Sequence, residues 1–322
     1  MSEFSSGSQR DLYYKEETVY GVVEGGVATG FTEIRNTEDS ISLVRDNFVS
    51  DERRGDRGIH DMRLGNKQPA GDIGFEFSYE AFDDFLEGAL CSDWGATTAN
   101  VLEKGVVFHS YSVVKAFSDI LEYQLYPGGV VNTMSLDINP NAMVTGSFGM
   151  IFQDMSNGTG VYVDTPAAST TNTPFDGFTG TIEEGTEAGT TIAVVSSLSL
   201  SLDNGFERNF VLMSNKNPQV TWGKSNVTGS MVLYFEDTDE YDKFVNETES
   251  GLTITLEDLH TGTSGNKYKI RLPRIKYTSA DAPVNSDGSV MITMNFQALD
   301  DESVADGGIA TNIQITRIVA VA

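Results

Sequence analysis

The strongest constraint on the fold of this 322-residue chain is an internal repeat. Four short blocks of the first half recur in the same order in the second half, the first three at nearly constant spacing. Chance would readily supply one such block, but four in order predict two diverged copies of one domain. The matched blocks are residues 43–48 with 200–206, 65–77 with 223–235, 82–86 with 241–245, and 150–153 with 294–297.

Each copy has the pattern of a β-rich domain with one short flanking helix. Apolar residues alternate at positions 73, 75 and 77 and again at 231, 233 and 235, which is the period of a half-buried strand. Aromatic residues at helical spacing follow in both copies and predict a short helix packed on its own sheet. We therefore predict a mainly β fold of β-sandwich or barrel-like domains. Its predicted parts are an N-terminal arm (1–30), the first copy (31–156), a Thr/Gly/Ser-rich linker (157–194) and the second copy (195–322).

The chain is strongly acidic, with 47 Asp and Glu residues against 21 Lys and Arg residues. No lysine or arginine occurs between Lys115 and Arg208, a stretch that carries eleven carboxylates. Such a surface repels phosphate, so it cannot bind nucleic acid by neutralising its backbone. It would suit a wall past which DNA must slide without sticking, although simple solubility would explain the charge equally well.

The sequence gives no sign of export or membrane insertion. The N-terminus has no apolar signal core, and no run approaches the ~18 apolar residues that span a bilayer. Cys91 is the single cysteine, so an intrachain disulfide is impossible, and a small buried side chain is its simplest interpretation. We expect synthesis in a cytosol-like compartment.

No catalytic or metal-binding motif is recognisable in the sequence. His60, His109 and His260 have no mutual spacing typical of a metal site, and the HExxH, G-x-S-x-G and P-loop patterns do not occur. Adjacent carboxylates such as Asp83 and Asp84 fall where a helix begins, and acids there complement the helix dipole. We therefore expect no enzyme activity, no catalytic residue, no bound metal and no cofactor.

Residues 50–67 are unusually dense in charges of both signs. One interpretation is a solvated loop. The other is a loop that pairs with carboxylates of a neighbouring subunit, because mixed-charge loops suit polar contacts that set register. The residues predicted to make such inter-ring or inter-subunit contacts are Arg53, Arg54, Asp56, Arg57, Arg63 and Lys67.

Several runs of the first copy together form a pattern that is typical of one protein family. They are ETVYG at 17–21, SLVRDNF at 42–48, RLGNKQ at 63–68, GDIGFEF at 71–77 and FDDFLEGAL at 82–90. This pattern resembles the tail tube proteins, or major tail proteins, of long non-contractile-tailed phages (siphophages). The clear resemblance covers about residues 15–95, and the second copy joins it only through its similarity to the first.

The resemblance implies β-sandwich or barrel-like subunits with one flanking helix, closed into rings that stack as a tube. It also implies an acidic lumen and a loop, here residues 50–67, that engages the adjacent ring. Rings of this family commonly repeat one tube domain six times, so a chain with two copies would form a trimeric ring with pseudo-sixfold symmetry. The implied partners are other copies of this chain, the tape measure protein, and the tail tip and terminator proteins. DNA would cross the lumen during ejection without specific binding, and the protein would reside in the virion tail after synthesis in the host bacterial cytoplasm.

Two other interpretations stay open from the residues alone. A baseplate or tail-terminator ring, or the inner-tube protein of a secretion machine, would share the architecture but would not stack into a long tube. An acidic carbohydrate-binding adhesin module would instead be a stable monomer with an exposed aromatic platform.

Overall fold

A computed structural model describes residues 4–23, 29–95, 100–185, 190–192, 194–236, 238–258, 265–283, 288–301 and 310–320. Strands make up 52% of the chain and helices 6%, which confirms the predicted mainly β fold. Among the described residues there are two α-helices, α1 (Asp83–Leu90) and α2 (Asp239–Val245), and one 3-10 turn at Gly7–Gln9. Neither helix is long and apolar enough to cross a membrane.

The first half of the chain forms an antiparallel sheet in the strand order β1-β7-β8-β9-β5-β4. The strands of this half are β1 (Arg10–Glu16), β2 (Thr32–Glu33), β3 (Glu38–Asp39), β4 (Ser42–Val49), β5 (Met62–Glu76), β6 (Val101–Glu103), β7 (Tyr111–Phe117), β8 (Glu122–Ile138), β9 (Thr145–Ile151) and β10 (Ser156–Thr159).

The second half forms a sheet in the order β11-β17-β18-β19-β16-β13. Its strands are β11 (Gly180–Glu184), β12 (Thr190–Thr191), β13 (Val195–Asp203), β14 (Glu207–Asn209), β15 (Gln219–Thr221), β16 (Asn226–Tyr234), β17 (Ser250–Asp258), β18 (Asn266–Asp281), β19 (Met291–Ala298) and β20 (Gln314–Ile318). The pairing of β8 with β13 joins the two halves into one continuous sheet. The described strands do not close into a barrel within one chain.

The core is filled by large apolar side chains that alternate along these strands and by one face of α1. Phe75 and Phe148 stack across β5 and β9 with ring centroids 4.6 Å apart, and Phe85 of α1 stacks on Phe148 at 5.4 Å. All three side chains are about 1% exposed. Each such ring pair contributes roughly 0.5–1.5 kcal/mol beyond its buried area, so α1 is fixed firmly to the first-half sheet.

Tyr268 of β18 ties the second half to α1. Its ring stacks on Phe77 at 5.2 Å, and its hydroxyl donates a hydrogen bond to Asp83 at the start of the helix. Arg317 of β20 also donates to Asp83 and lies over the ring of Trp94, 4.2 Å from its centroid. The two halves therefore share one core as well as one sheet.

The segments predicted as arm and linker both contribute strands. β1, within residues 1–30, pairs with β7 along its full length. Within residues 157–194, the end of β10 pairs with β8, while β11 pairs with β17. Phe175, between β10 and β11 in the sequence, is buried in the core, whereas Phe178 is 78% exposed. The proposed domain boundaries stay a prediction.

Candidate assembly surfaces

Among the open strand edges of the described residues, those of β4 and β18 belong to long strands. β4 pairs with β5 along one edge, and no described strand pairs with its other edge. β18 pairs with β17 as far as Ile275, and beyond it the same edge is open to Asp281. Ile275 defines the side, because it pairs with Ser250 of β17 on one edge and with Ala298 of β19 on the other. Unpaired backbone groups along such edges are a template for pairing with another chain.

Both edges of β8, in contrast, are filled from within the chain. β7 pairs with β8 as far as Gly129, and β13 takes over the same edge at Thr133. The opposite edge of β8 pairs with β10 and β9. Between these two strands, the Gln153 N–H donates a hydrogen bond to the Pro127 carbonyl of β8 (3.1 Å). β8 is thus a long strand whose two edges are both occupied.

The junction between β8 and β13 is both hydrogen-bonded and packed. Its register runs from Thr133 opposite Asp203 to Ile138 opposite Leu198. At its start, the Asn204 N–H donates to the Asn132 carbonyl at 2.8 Å. The buried members alternate with polar ones, as expected of a sheet with one face in the core; they are Met134, Leu136, Ile138, Leu198, Leu200 and Leu202.

The opposite side of the same sheet is a continuous polar face. None of its side chains is fully buried, and hydrogen bonds between Ser135 and Ser147 (2.9 Å) and from Asn295 to Ser279 (2.7 Å) connect adjacent strands. Among the residues named below it carries five carboxylates, and Lys276, directly opposite Gln297, also lies on this side of the sheet. This polar face comprises Asp72, Glu76, Thr145, Ser147, Thr133, Ser135, Asp137, Ser199, Ser201, Asp203, Thr228, Ser230, Asn295, Gln297, Ser279 and Asp281.

The charged segment forms the tip of the β4–β5 hairpin, where residues 46–49 and 51–64 are all exposed. The ion pairs there are local, and exposed pairs of this kind contribute little stability. Arg53 and Arg57 make no hydrogen bond or ion pair to any other described residue. The local contacts are Arg54 to Glu52 (2.5 Å), His60 to Asp56 (2.8 Å) and Arg63 to Asp61 (3.7 Å).

Lys67, at the base of this hairpin, is engaged within the chain. Its Nζ donates to Asp154 at 2.6 Å, and Lys216 reaches the other oxygen of the same carboxylate at 2.5 Å. Burial alone would raise the pKa of Asp154, but the hydrogen bonds from Lys216 and Lys67 hold it below its ordinary value. Lys67 therefore anchors the hairpin, while the other five predicted contact residues lie on its exposed part.

The sequence patterns did not predict a second exposed loop. Residues 204–225 connect β13 to β16 and contain the two-stranded sheet of β14 and β15. Leu212 and Met213 at its tip are 93% and 105% exposed. The loop has neither the charge nor the periodicity that marked the first one. The available signal was its place in the predicted repeat, where it matches the position of the charged loop.

Comparison of the sequence with models of known protein families identifies the family of this chain. The sequence model of the family described as phage tail tube protein matches residues 7–298. The chain belongs to this family. Comparison with curated protein sequences gives no match.

Membership of the tail tube family makes this chain a structural component of the phage tail and of the virion. It confirms the resemblance to tail tube proteins noted over residues 15–95 and extends it to nearly the whole chain. It also indicates self-assembly into a tube. Tail tube proteins are typically non-enzymatic.

The adjacent carboxylates considered for acid–base chemistry have structural contacts. Asp83 accepts hydrogen bonds from the second half, as described above, and Asp84 accepts one from the Tyr14 hydroxyl at 2.8 Å. Burial raises the pKa of Asp83, although Tyr268 and Arg317 oppose that rise. Of the three histidines, His260 lies outside the described residues.

Proposed function

We propose that this chain closes into rings that stack as the tail tube of a long non-contractile-tailed phage, and that its two halves act as two tube domains. The main support is that the halves pair their strands in the same order, β1-β7-β8-β9-β5-β4 and β11-β17-β18-β19-β16-β13. Each half also has a helix directly after β5 or β16. A shared order of six strands is what duplication of one domain would leave.

The pairing registers support the same proposal. Bulges are inherited features of a fold, and the two halves have them at matching points. The bulge of β8 between Tyr126 and Gly129, opposite β7, matches the bulge of β18 between Leu272 and Ile275, opposite β17. The bulge of β8 between Val131 and Thr133 matches that of β18 between Tyr277 and Ser279.

The strand registers change one part of the alignment between the two halves that the sequence blocks suggest. They make Phe148 the counterpart of Met294, because Ile73 pairs with Phe148 and its counterpart Met231 pairs with Met294. The sequence blocks match Met150 with Met294 instead. A slip of two residues leaves every side chain on the same face of the strand, so the hydrophobic pattern alone does not reveal it.

The two open edges are the counterparts of the junction inside the chain. By the strand equivalence, β18 corresponds to β8 and β4 corresponds to β13. The open edge of β18 would therefore receive β4 of the next chain, just as β8 receives β13. Ala280 and Leu43 would then face the core, and the polar residues would continue the polar face. The expected register sets Ser279, Ala280 and Asp281 opposite Val44, Leu43 and Ser42 of the next chain, respectively.

Repetition of this contact gives a ring if the rotation between neighbours closes. A trimer would contain six tube domains and six equivalent junctions, half of them within chains and half between chains. Ring closure would leave no open edge at these junctions, which removes the aggregation hazard of the separate chain.

The polar face would line the lumen, because α1, α2 and the core cover the other side of the sheet. Its carboxylates would repel DNA phosphates and let the duplex pass during ejection without specific binding. The exposed β4–β5 tip would contact the adjacent ring. There, Arg53 and Arg57 can pair with carboxylates of the strongly acidic neighbour.

Assembly state tests this proposal directly. Negative-stain electron microscopy of the concentrated chain should show rings or hollow tubes, and native mass spectrometry should give rings of three 35.0 kDa chains. Rings of six chains would refute the use of two domains per chain. Single rings that never stack would favour a baseplate, terminator or secretion-machine ring. In a tube, the tape measure, tail tip and terminator proteins are the expected partners.

A persistent monomer needs a further experiment, because a tail tube chain without an initiator of assembly can stay unassembled. A monomer that binds sugars would favour the adhesin interpretation. A monomer that polymerises when tail tip proteins are added would support the tube.

A further inference from the structure

His109 lies just before β7 and is buried, with 8% of its surface exposed. Its Nδ1 lies 2.8 Å from Oε1 of Glu16 in β1. A carboxylate can only accept a hydrogen bond, so Nδ1 of the neutral ring carries the proton and Nε2 presents its lone pair. Nε2 is fully enclosed and makes no hydrogen bond to any described residue. A buried polar atom without a partner requires an explanation.

Two carboxylates face this nitrogen. Oδ1 of Asp93 lies 3.6 Å from Nε2, and Glu87 projects from the last turns of α1. One ligand atom from each of Glu87, Asp93 and His109 lies within 4.8 Å of the other two. Asp93 is exposed and gives a path from solvent, whereas Glu87 is only partly exposed.

We propose that Glu87, Asp93 and His109 bind a divalent transition-metal ion, with Zn²⁺ as the best match. One imidazole and two carboxylates suit Zn²⁺, whereas Ca²⁺ and Mg²⁺ take oxygen ligands. Ligand atoms about 2.1 Å from a tetrahedral ion lie about 3.4 Å from each other. The 3.6 Å between His109 Nε2 and Asp93 Oδ1 is close to that spacing, and Glu87 offers a ligand atom within 4.8 Å of the other two. Three protein ligands leave one position for water.

The surroundings of the site are those that orient metal ligands. A metal-bound histidine usually donates its other ring N–H to a carboxylate, and Glu16 accepts it here. Oε1 of Glu87 accepts the Trp94 N–H at 2.7 Å, which holds the helix end and the Asp93 turn together. A bound ion would join α1, this turn and the start of β7, and through Glu16 it would also fix β1.

Among the described residues, the second half has no equivalent site. Counting back from the matched strand starts Tyr111 and Ser250, the position of His109 corresponds to Thr248. Threonine is not a usual ligand for Zn²⁺. The expected stoichiometry is therefore one ion per chain, and this holds whether or not the chain forms rings.

Zinc titration of the full chain, after removal of metals with a chelator, tests the site. Calorimetry should give one Zn²⁺ per chain, and Co²⁺ in its place should produce the visible absorption of a four-coordinate ion. Asp93→Asn, at an exposed position that does not threaten folding, should weaken Zn²⁺ binding at least tenfold. Glu16→Gln, which keeps all three ligands, should weaken it about 10–100-fold.

The matched control is His60→Gln. His60 also pairs with a carboxylate, Asp56, but at an exposed hairpin position without further ligands. Its replacement should leave Zn²⁺ affinity unchanged. The proposal is overturned if the chain takes up no stoichiometric Zn²⁺, or if Asp93→Asn binds Zn²⁺ as tightly as the original chain.

Discussion

Replacing Ala280 by proline tests the junction between chains at one backbone N–H. In β8 the Asn132 carbonyl points to β13, and backbone groups of alternate residues point to the same edge. By the strand equivalence, the N–H of Ala280 points to the open edge of β18, while Ser279 and Asp281 bond to β19. Proline at position 280 therefore removes a donor from the open edge alone, where proline is tolerated in a separate strand.

The cost falls on assembly rather than on the folded chain. In the closed junction, the missing donor leaves a carbonyl of the neighbouring β4 unpaired, which costs about 1–3 kcal/mol. The steric clash of the proline ring brings the total to about 3 kcal/mol or more. That corresponds to a loss of roughly 100-fold or more in the association constant of each interchain junction.

The assay compares ring and tube yield by electron microscopy and sedimentation over a range of chain concentrations. Ala280→Val is the matched control, because it adds similar bulk and keeps the N–H. Urea unfolding of the separate chains should show Ala280→Pro to be nearly as stable as the original. The reasoning is refuted if Ala280→Pro assembles at the original concentration, or if Ala280→Val fails equally.

Three further predictions concern the folded chain. Phe148→Ala should lower the free energy of unfolding by about 3–5 kcal/mol, measured by urea titration, because it empties the centre of the aromatic cluster. Since the two lysines lower the folded-state pKa of Asp154, its pairing stabilises the chain above the unfolded pKa of about 4. That contribution is lost as pH falls through the lower folded value, so Asp154→Asn should reduce the acid dependence of stability below about pH 4. Burial raises the pKa of Cys91 to about 11, so its alkylation at pH 8 should be on the order of 100-fold slower than that of a free thiol. Fast labelling of the native chain would contradict its burial.

The sequence predicted which residues face the core, because that information is local. Ile73 and Phe75 alternate in β5, and Leu198, Leu200 and Leu202 alternate in β13, and all five are buried. The helix that follows β5 was equally visible, from aromatic residues at helical spacing. Periodicity reports the face of a residue without reference to any distant partner.

Pairing partners could not be predicted in this way. Nothing in the local pattern of β8 states that its first part pairs with β7 and its last part with β13, since both parts alternate alike. The same limit hid the group around His109, whose members Glu16, Glu87 and Asp93 come from separate elements. Residues that are distant in sequence meet there only because β1 pairs with β7 beside the end of α1.

Closure of the ring sets a further condition on the structure of the single chain. If the junction between chains repeats the β8–β13 junction, the rotation that relates the two halves of one chain must equal the rotation between adjacent domains of neighbouring chains. For three chains this rotation is one sixth of a full turn. A rotation that is not an exact fraction of a turn would turn the same edges into an open helix, and another exact fraction would give a ring with a different number of chains. In the proposed trimer, two domains per chain would build half of the ring contacts into the covalent chain, where no dissociation can undo them, and three noncovalent junctions would complete the circle.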